Sequence, residues 1–339
     1  MNVLLLAPPY LNLYQDVLSE LKHQGYSVEY IQDKSFKFDP CLIRNKKKES
    51  PLKEWIYGEQ LKFYWRTKYS QIQCKKVDIL FVINGKSYHP CLTEYLKRYN
   101  PQIKSILYLW DRTYKNYRFD KYIDSFNDVI TFDMIDAKEL KARFLPFYWV
   151  PPEHPISKVY DISGFGTLRL DRYEQFKRIW QISQKYALQS FIKLYKIPEQ
   201  NTKFLYTKKI IKHILRISKR EYISELITDE KLSPSDFRIL IYKSRCIIDT
   251  YNTFQEGMTP RFMWALGAGC KIITTNKNCK NYPFYSPEYI YVIESNTTHI
   301  PKEFLTTNYT PSKERTKIIN QYRIDNWLKE ILKNTKHIL

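Results

Sequence analysis

Residues 249–276 read DTYNTFQEGMTPRFMWALGAGCKIITTN. The stretch opens as an apolar run over 246–250 ends, passes through a polar loop holding Gln255, Glu256 and Gly257, and turns apolar again over 259–268. It closes on a second apolar run, 271–275. Two short β-branched runs flanking a longer apolar-periodic segment are the pattern of strand, helix and strand. Thr259 before Pro260 marks the helix start, because a hydroxyl caps the exposed N–H groups and proline at the first helical position gives up no bond. Strands buried on both faces read as continuous apolar runs, and parallel strands need a helical crossover between them. This stretch therefore points to an α/β fold.

The same alternation extends in both directions. Strands are expected at 159–165, 190–196 and 289–293, with helices at 172–186, from Ser233–Pro234 to 243, and over 313–333. Pro146, Pro151, Pro152 and Pro155 cluster ahead of these elements, the composition of a domain boundary. Before that cluster, strands are expected at 2–7, 28–31, 78–83, 105–110 and 128–132. A helix through Leu13, Val17 and Leu21 ends at Gly25, and others are expected at 55–73, 91–99 and 137–143. Residues 40–54 are polar and basic and read as a loop or insertion. The expected architecture is α/β with two doubly wound, Rossmann-like domains facing a cleft. Residues 1–152 would form the N-terminal domain and 153–312 the C-terminal one, with 313–339 a helix packing back on the first.

Composition narrows the partners. The 339 residues include 55 Lys plus Arg against 35 Asp plus Glu, a formal charge of +20, and 43% are hydrophobic, enough for a sizeable core. A positive balance of this size suits nucleic acid, anionic lipid or phosphorylated small molecules. The abundance of Lys, Tyr, Asn and Ile also fits translated AT-rich DNA. No helix-turn-helix, RNP or zinc-finger spacing accompanies the charge, so nucleic acid is not an expected partner. No apolar stretch approaches the ~18–20 residues that span a bilayer, and MNVLLLAPPY reads as a strand and not as a signal peptide. Six scattered cysteines without a C-x-x-C pair argue against a zinc site or disulfide framework and fit a reducing cytoplasm.

Several candidate groups fall at strand ends. A helix N-terminus presents free N–H groups and about half a positive charge, and Arg261 in the first turn is favourable only beside an anion. Thr259, Pro260 and Arg261 therefore read either as a diphosphate pocket or as a strand, loop and helix with a surface arginine. Gly164, Gly166 and Thr167 end another strand, with Arg169 and Arg172 just beyond, and Lys193 and Lys196 sit at a third tip. Thr274, Thr275 and Asn276 end a fourth, where hydroxyls and an amide suit sugar or ribose. Asp111, after the strand ending at Trp110, is a candidate general base or a cap for the next loop. Asp133 and Asp136 read as turn and helix-start residues. His89 and His154, in proline-flanked loops, read as catalytic or structural.

These residues resemble the GT-B type glycosyltransferases of bacterial lipopolysaccharide and capsule gene clusters. The matching blocks are Tyr108 to Asp111; Phe132, Asp133, Asp136 and Ala137; and Asp161, Ile162, Ser163, Gly166 and Thr167 with Arg172 downstream. The most specific block holds Gln255, Gly257, Thr259 and Arg261, followed by Lys271 to Asn276 without Ile272, and then the aromatics Tyr282, Phe284 and Tyr285. The resemblance spans about residues 78 to 293. It implies a metal-independent transferase that takes a nucleotide-sugar donor as co-substrate, with no further cofactor, and a glycan or glycolipid acceptor. The setting would be the cytoplasmic face of the inner membrane, with peripheral contact to anionic lipid. Gly166, Thr167, Arg172, Gln255, Glu256, Gly257, Thr259, Arg261, Thr275 and Asn276 would hold the donor, and Asp111 would act as base. Many relatives carry a glutamate three residues after the arginine; here Trp264 stands there. Either the indole stacks on the base, or other groups hold the ribose, or activity is lost. The last case gives the alternative, a degenerate relative that scaffolds polysaccharide assembly.

Overall fold

The structure, a computed structural model, describes residues 1–33, 51–72, 76–112, 122–198, 222–251, 255–294 and 297–333. Its elements in chain order begin with β1 (Asn2–Ala7), α1 (Leu13–His23), β2 (Ser27–Gln32), α2 (Pro51–Lys68), β3 (Ile79–Ile83), α3 (Pro90–Lys97) and β4 (Lys104–Leu109). Next come β5 (Asp128–Thr131), α4 (Met134–Glu139) and β6 (Arg143–Phe144). Then follow β7 (Tyr160–Thr167), α5 (Leu170–Lys185), β8 (Ser190–Tyr195), β9 (Ile227–Thr228), α6 (Pro234–Tyr242) and β10 (Ser244–Asp249). The chain closes with α7 (Pro260–Gly267), β11 (Lys271–Thr274), β12 (Ile290–Val292), α8 (Lys302–Thr306), α9 (Lys313–Asn320) and α10 (Ile324–Leu332).

The chain forms two compact units. The first comprises Met1–Pro151, Asn252–Met263 and Lys313–Leu339; the second comprises Pro152–Tyr251 and Trp264–Ser312. The division differs from the continuous 153–312 domain read from sequence, since the loop opening α7 packs with the first unit.

In the first unit a parallel sheet runs β2-β1-β3-β4-β5-β6. Both faces are covered, so β3 (ILFVI) is buried at every position and β1 and β4 at every position after their first. The C-terminal helices complete this unit. Trp327, fully buried, donates from Nε1 to the Pro146 carbonyl at 2.9 Å and lies edge-on to Tyr108. Arg143 bridges Asp128 at 2.7 Å and Glu330 at 2.9 Å.

In the second unit a parallel sheet runs β12-β11-β10-β7-β8-β9. Read from β9, the chain order reverses between β7 and β10, the Rossmann arrangement, and ligands of such sheets bind at the carboxyl ends of the strands flanking that reversal.

Three expected elements change. The helix expected over 137–143 instead occupies Met134–Glu139, because Asp133 caps it and Lys141 takes φ +51°, after which Arg143–Phe144 pairs with β5. The expected 313–333 helix is broken at Tyr322–Arg323, where the backbone extends and exchanges hydrogen bonds with Trp149: Trp149 N–H donates to the Tyr322 carbonyl, and Ile324 N–H to that of Trp149. The helix placed from Trp55 starts at Pro51, so the expected 40–54 loop is contradicted at its end; its residues 40–50 lie outside the described residues.

Candidate functional site at the strand ends

The carboxyl end of β7 brings Gly166 and Thr167 together, and the first turn of α5 supplies Arg172. The Arg172 guanidinium folds back over the strand tip. Its Nη1 donates to the Thr167 carbonyl at 3.0 Å and its Nε to Thr250 Oγ at 2.9 Å. One side chain thus spans the ends of β7 and β10, the two strands where the sheet order reverses. Gly166 permits this: a Cβ there would lie 2.9 Å from Arg172 Nη1 and 3.0 Å from its Cδ. Gly164 has another purpose, because a Cβ there would press into the core residues Ile248 and Phe176.

Around this arginine the strand ends are polar and buried. Thr274 Oγ donates to the Asp249 carboxylate at 3.3 Å, and both residues are buried. Thr275 Oγ accepts from Tyr251 N–H at 3.1 Å, joining the β10 and β11 tips. Asn276 is 1% exposed, and its side-chain oxygen accepts from Asn278 N–H at 3.0 Å, capping the turn that follows. The amide oxygen is thus engaged within the chain, at a strand end where the sequence suggests a sugar contact. Lys193 is turned aside, donating to the Glu225 carbonyl at 2.7 Å. Arg169, the other arginine of this loop, pairs with Asp171 on the exposed surface.

The Gln255–Arg261 stretch belongs to the first unit, and its centre is Asp133. This carboxylate is fully buried. One oxygen accepts from the N–H groups of Ile135 (3.0 Å) and Asp136 (3.4 Å), capping α4. The other accepts from Glu256 N–H (2.7 Å) and Gly257 N–H (3.0 Å). The N–H groups of two residues that the resemblance gives to the donor are thus already bonded to a carboxylate of the chain itself. Gly257 is required by packing, since a Cβ there would lie 2.5 Å from the Phe132 ring and 2.6 Å from the Phe132 carbonyl. Arg112 completes the cluster, 3.2 Å from Asp136 and 3.7 Å from Asp133. Burial pulls its guanidinium down, but the Asp136 hydrogen bond and the charges of Asp133, Asp136 and Glu139 leave it above its ordinary value. The Glu256 side chain, with Met134, Ile135, Lys138 and Glu139, lines a cavity of about 620 Å³.

The helix start itself behaves as read. Thr259 Oγ accepts from Phe262 N–H at 3.1 Å, and its carbonyl accepts from Met263 N–H. Pro260 has no N–H to offer, so much of the first turn is satisfied within the chain. Arg261 is half-buried in that turn, and Gln255 is half-buried at the start of the loop. Trp264 is 1% exposed; Arg238 lies 4.7 Å over its ring and Phe237 meets its edge. The indole is a core residue and does not present a face for a base to stack on.

In the first unit Asp111 follows β4. Asn84, at φ +60°, accepts from Trp110 N–H at 3.0 Å through its side-chain oxygen and donates from Nδ2 to Asp111 at 3.1 Å. Beside it Asp33, 1% exposed, accepts from Ser87 N–H and Oγ (2.6 Å each) and from Lys86 N–H (2.8 Å). Burial pushes the Asp33 carboxyl up, against the bonds from Ser87 and Lys86. His89 caps α3, its Nδ1 accepting from Cys91 N–H at 3.2 Å, while His154 is exposed in a loop. Asn84, Asp33 and Thr250 escape a sequence reading because single polar residues at strand ends are common. A signal existed only for Asn84, in the Asn-Gly pair that favours left-handed backbone.

No protein-family model matches the chain, and no curated protein matches it in sequence. Solved structures match it in fold. AviGT4, a glycosyltransferase involved in avilamycin A biosynthesis, aligns with a TM-score of 0.57 at 10% identity, over 100% of this chain and 98% of its own. A trehalose-phosphate synthase (UDP-forming) from Burkholderia vietnamiensis gives 0.57 at 9%, over 100% and 97%. An α-glucosyltransferase, solved with UDP-glucose and DNA containing an abasic site, gives 0.54 at 13%, over 99% of each. The fold is accordingly the GT-B one, two Rossmann-like parallel-sheet domains.

Proposed function

We propose that this chain is a glycosyltransferase, moving a sugar from a nucleotide-sugar donor to a surface-glycan acceptor of the lipopolysaccharide or capsule kind without a metal. The observation that carries the reading is Arg172, laid across the strand reversal of the second unit between Thr167 and Thr250. A guanidinium there meets a diphosphate at the place where Rossmann sheets take nucleotides. Gly166 and Thr167 shape the approach to it, and Thr275 lines the neighbouring tip. Arg172 offsets the charge that builds on the diphosphate as its bond to the anomeric carbon breaks. Arg261, in the first unit, stands in the turn capped by Thr259 and remains in the donor set. Asn276 belongs to this set through the turn it caps, and Gln255 through its place at the start of the loop. So do Glu256 and Gly257, whose loop Asp133 fixes. Asp111, oriented by Asn84, takes the proton of the acceptor hydroxyl as the glycosidic bond forms. The cavity beside Glu256 is the acceptor candidate in the first unit.

Thermal-shift screening against UDP-, GDP-, dTDP- and CMP-sugars tests the reading. Stabilisation by one class, lost in Arg172→Ala, supports it, and no stabilisation by any class contradicts it. The buried Trp264 favours a second reading, a catalytically degenerate scaffold, because that position holds no carboxylate for a ribose. A scaffold need not bind a nucleotide sugar, and the same screen separates the two.

A further inference from the structure

Helix α2 is apolar on two opposite faces. Tyr57, Leu61 and Trp65, four residues apart, are fully buried, and Trp65 Nε1 donates to the Ser87 carbonyl at 2.7 Å. On the other side Leu52, Trp55, Ile56 and Phe63 are 63%, 62%, 43% and 69% exposed. At helical spacing these four fall within a ~100° arc roughly opposite the buried face. A helix with one apolar face rests on its own core, whereas a second, exposed one marks a surface that something else covers.

The charges on that outer face say what covers it. Its acid, Glu59, is paired with Lys62 at 2.6 Å, and Arg66 is exposed one turn further on. The face is therefore net cationic, on a chain whose formal charge is +20. A second copy would bring one strongly positive body against another, while anionic lipid attracts both the Arg66 end and the chain as a whole. Trp and Phe beside cations, with Leu and Ile between them, are the side chains that settle at the boundary of headgroups and acyl chains.

We propose that the outer face of α2 docks on an anionic lipid bilayer, with Trp55 and Phe63 entering the headgroup boundary and Arg66 meeting lipid phosphate. This gives the membrane contact expected from the charge a place in the fold, and it does not depend on the donor reading. The test is co-sedimentation of the full chain, without nucleotide sugar, with phosphatidylglycerol/phosphatidylethanolamine vesicles and with phosphatidylcholine vesicles. The wild type is expected to pellet with the first and not the second. Trp55→Ser/Phe63→Ser should cut the pelleted fraction at least fivefold at an unchanged thermal midpoint. If the double variant misfolds, Phe63→Ser alone should give a partial loss. The proposal is overturned if the wild type ignores anionic vesicles, or if a folded variant pellets as the wild type does. It is also overturned if the wild type is a dimer that the variant converts to monomer, which would make a second copy the occupant.

Discussion

Replacing Asp133 by alanine removes the acceptor shared by four backbone N–H groups, two opening α4 and two in the loop at Glu256–Gly257. The site is fully buried, so water does not readily take the carboxylate's place. A buried donor left unsatisfied costs about 1–3 kcal/mol, and loss of a helix cap about 0.5–2 kcal/mol. Arg112 keeps Asp136 at 3.2 Å and so loses little. The low end of the range for each of the two loop donors, with the middle of the range for the cap, gives on the order of 3–4 kcal/mol. Asp133→Asn retains one oxygen, enough for either the cap or the loop, and should cost about 1–2 kcal/mol. Urea unfolding of the three proteins, with the midpoint and slope read separately, measures both values. An alanine variant within about 1 kcal/mol of wild type would refute the idea that this carboxylate holds the loop to its unit.

Two further outcomes follow from buried groups. Trp264→Glu, which places a carboxylate where the sequence resemblance leads one to expect it, should lower the thermal midpoint. It empties a packed site, a change that costs about 3–5 kcal/mol for a tryptophan, and buries a charge. It should bring no gain in nucleotide-sugar affinity by calorimetry, and a folded variant with tighter binding would contradict the core role. Asp33 has its carboxyl raised by burial from the ordinary 3.8. The stability tied to its protonation is complete below 3.8 and is lost as pH climbs through the raised folded value. The unfolding free energy of wild type should therefore improve relative to Asp33→Asn as pH falls from neutrality toward that value, and a difference that stays flat in urea titrations would be against it.

The fold was legible because its signals are of the strong kind. Continuous apolar runs such as 2–7 and 79–83 admit little but buried parallel strands, and the Ser233–Pro234 and Thr259–Pro260 starts cap the helices they mark. The break at Tyr322–Arg323 was illegible, since no proline or glycine marks it and its cause is backbone pairing with Trp149, more than 170 residues away. The site was half legible. Gly166 and Arg172 read from sequence as a ligand approach, and the structure adds the steric reason that the glycine makes room for the arginine. Gly257 looked alike in sequence, yet it serves contact with Phe132 and Asp133, and nothing local distinguishes the two cases. For Trp264 the sequence leaves base stacking open as one of three readings, because burial cannot be read from one position in an amphipathic helix; its fate depends on Phe237 and Arg238 of α6.

Calorimetric titration of wild type, Arg172→Lys and Arg172→Ala with the nucleotide sugar that most stabilises the protein goes straight to the proposed diphosphate grip. A charge-assisted hydrogen bond contributes about 1.5–3 kcal/mol, so alanine should weaken binding by roughly 10- to 100-fold. Lysine, which keeps the charge and loses the fork, should fall between the two. Equal affinity in all three proteins would contradict the account.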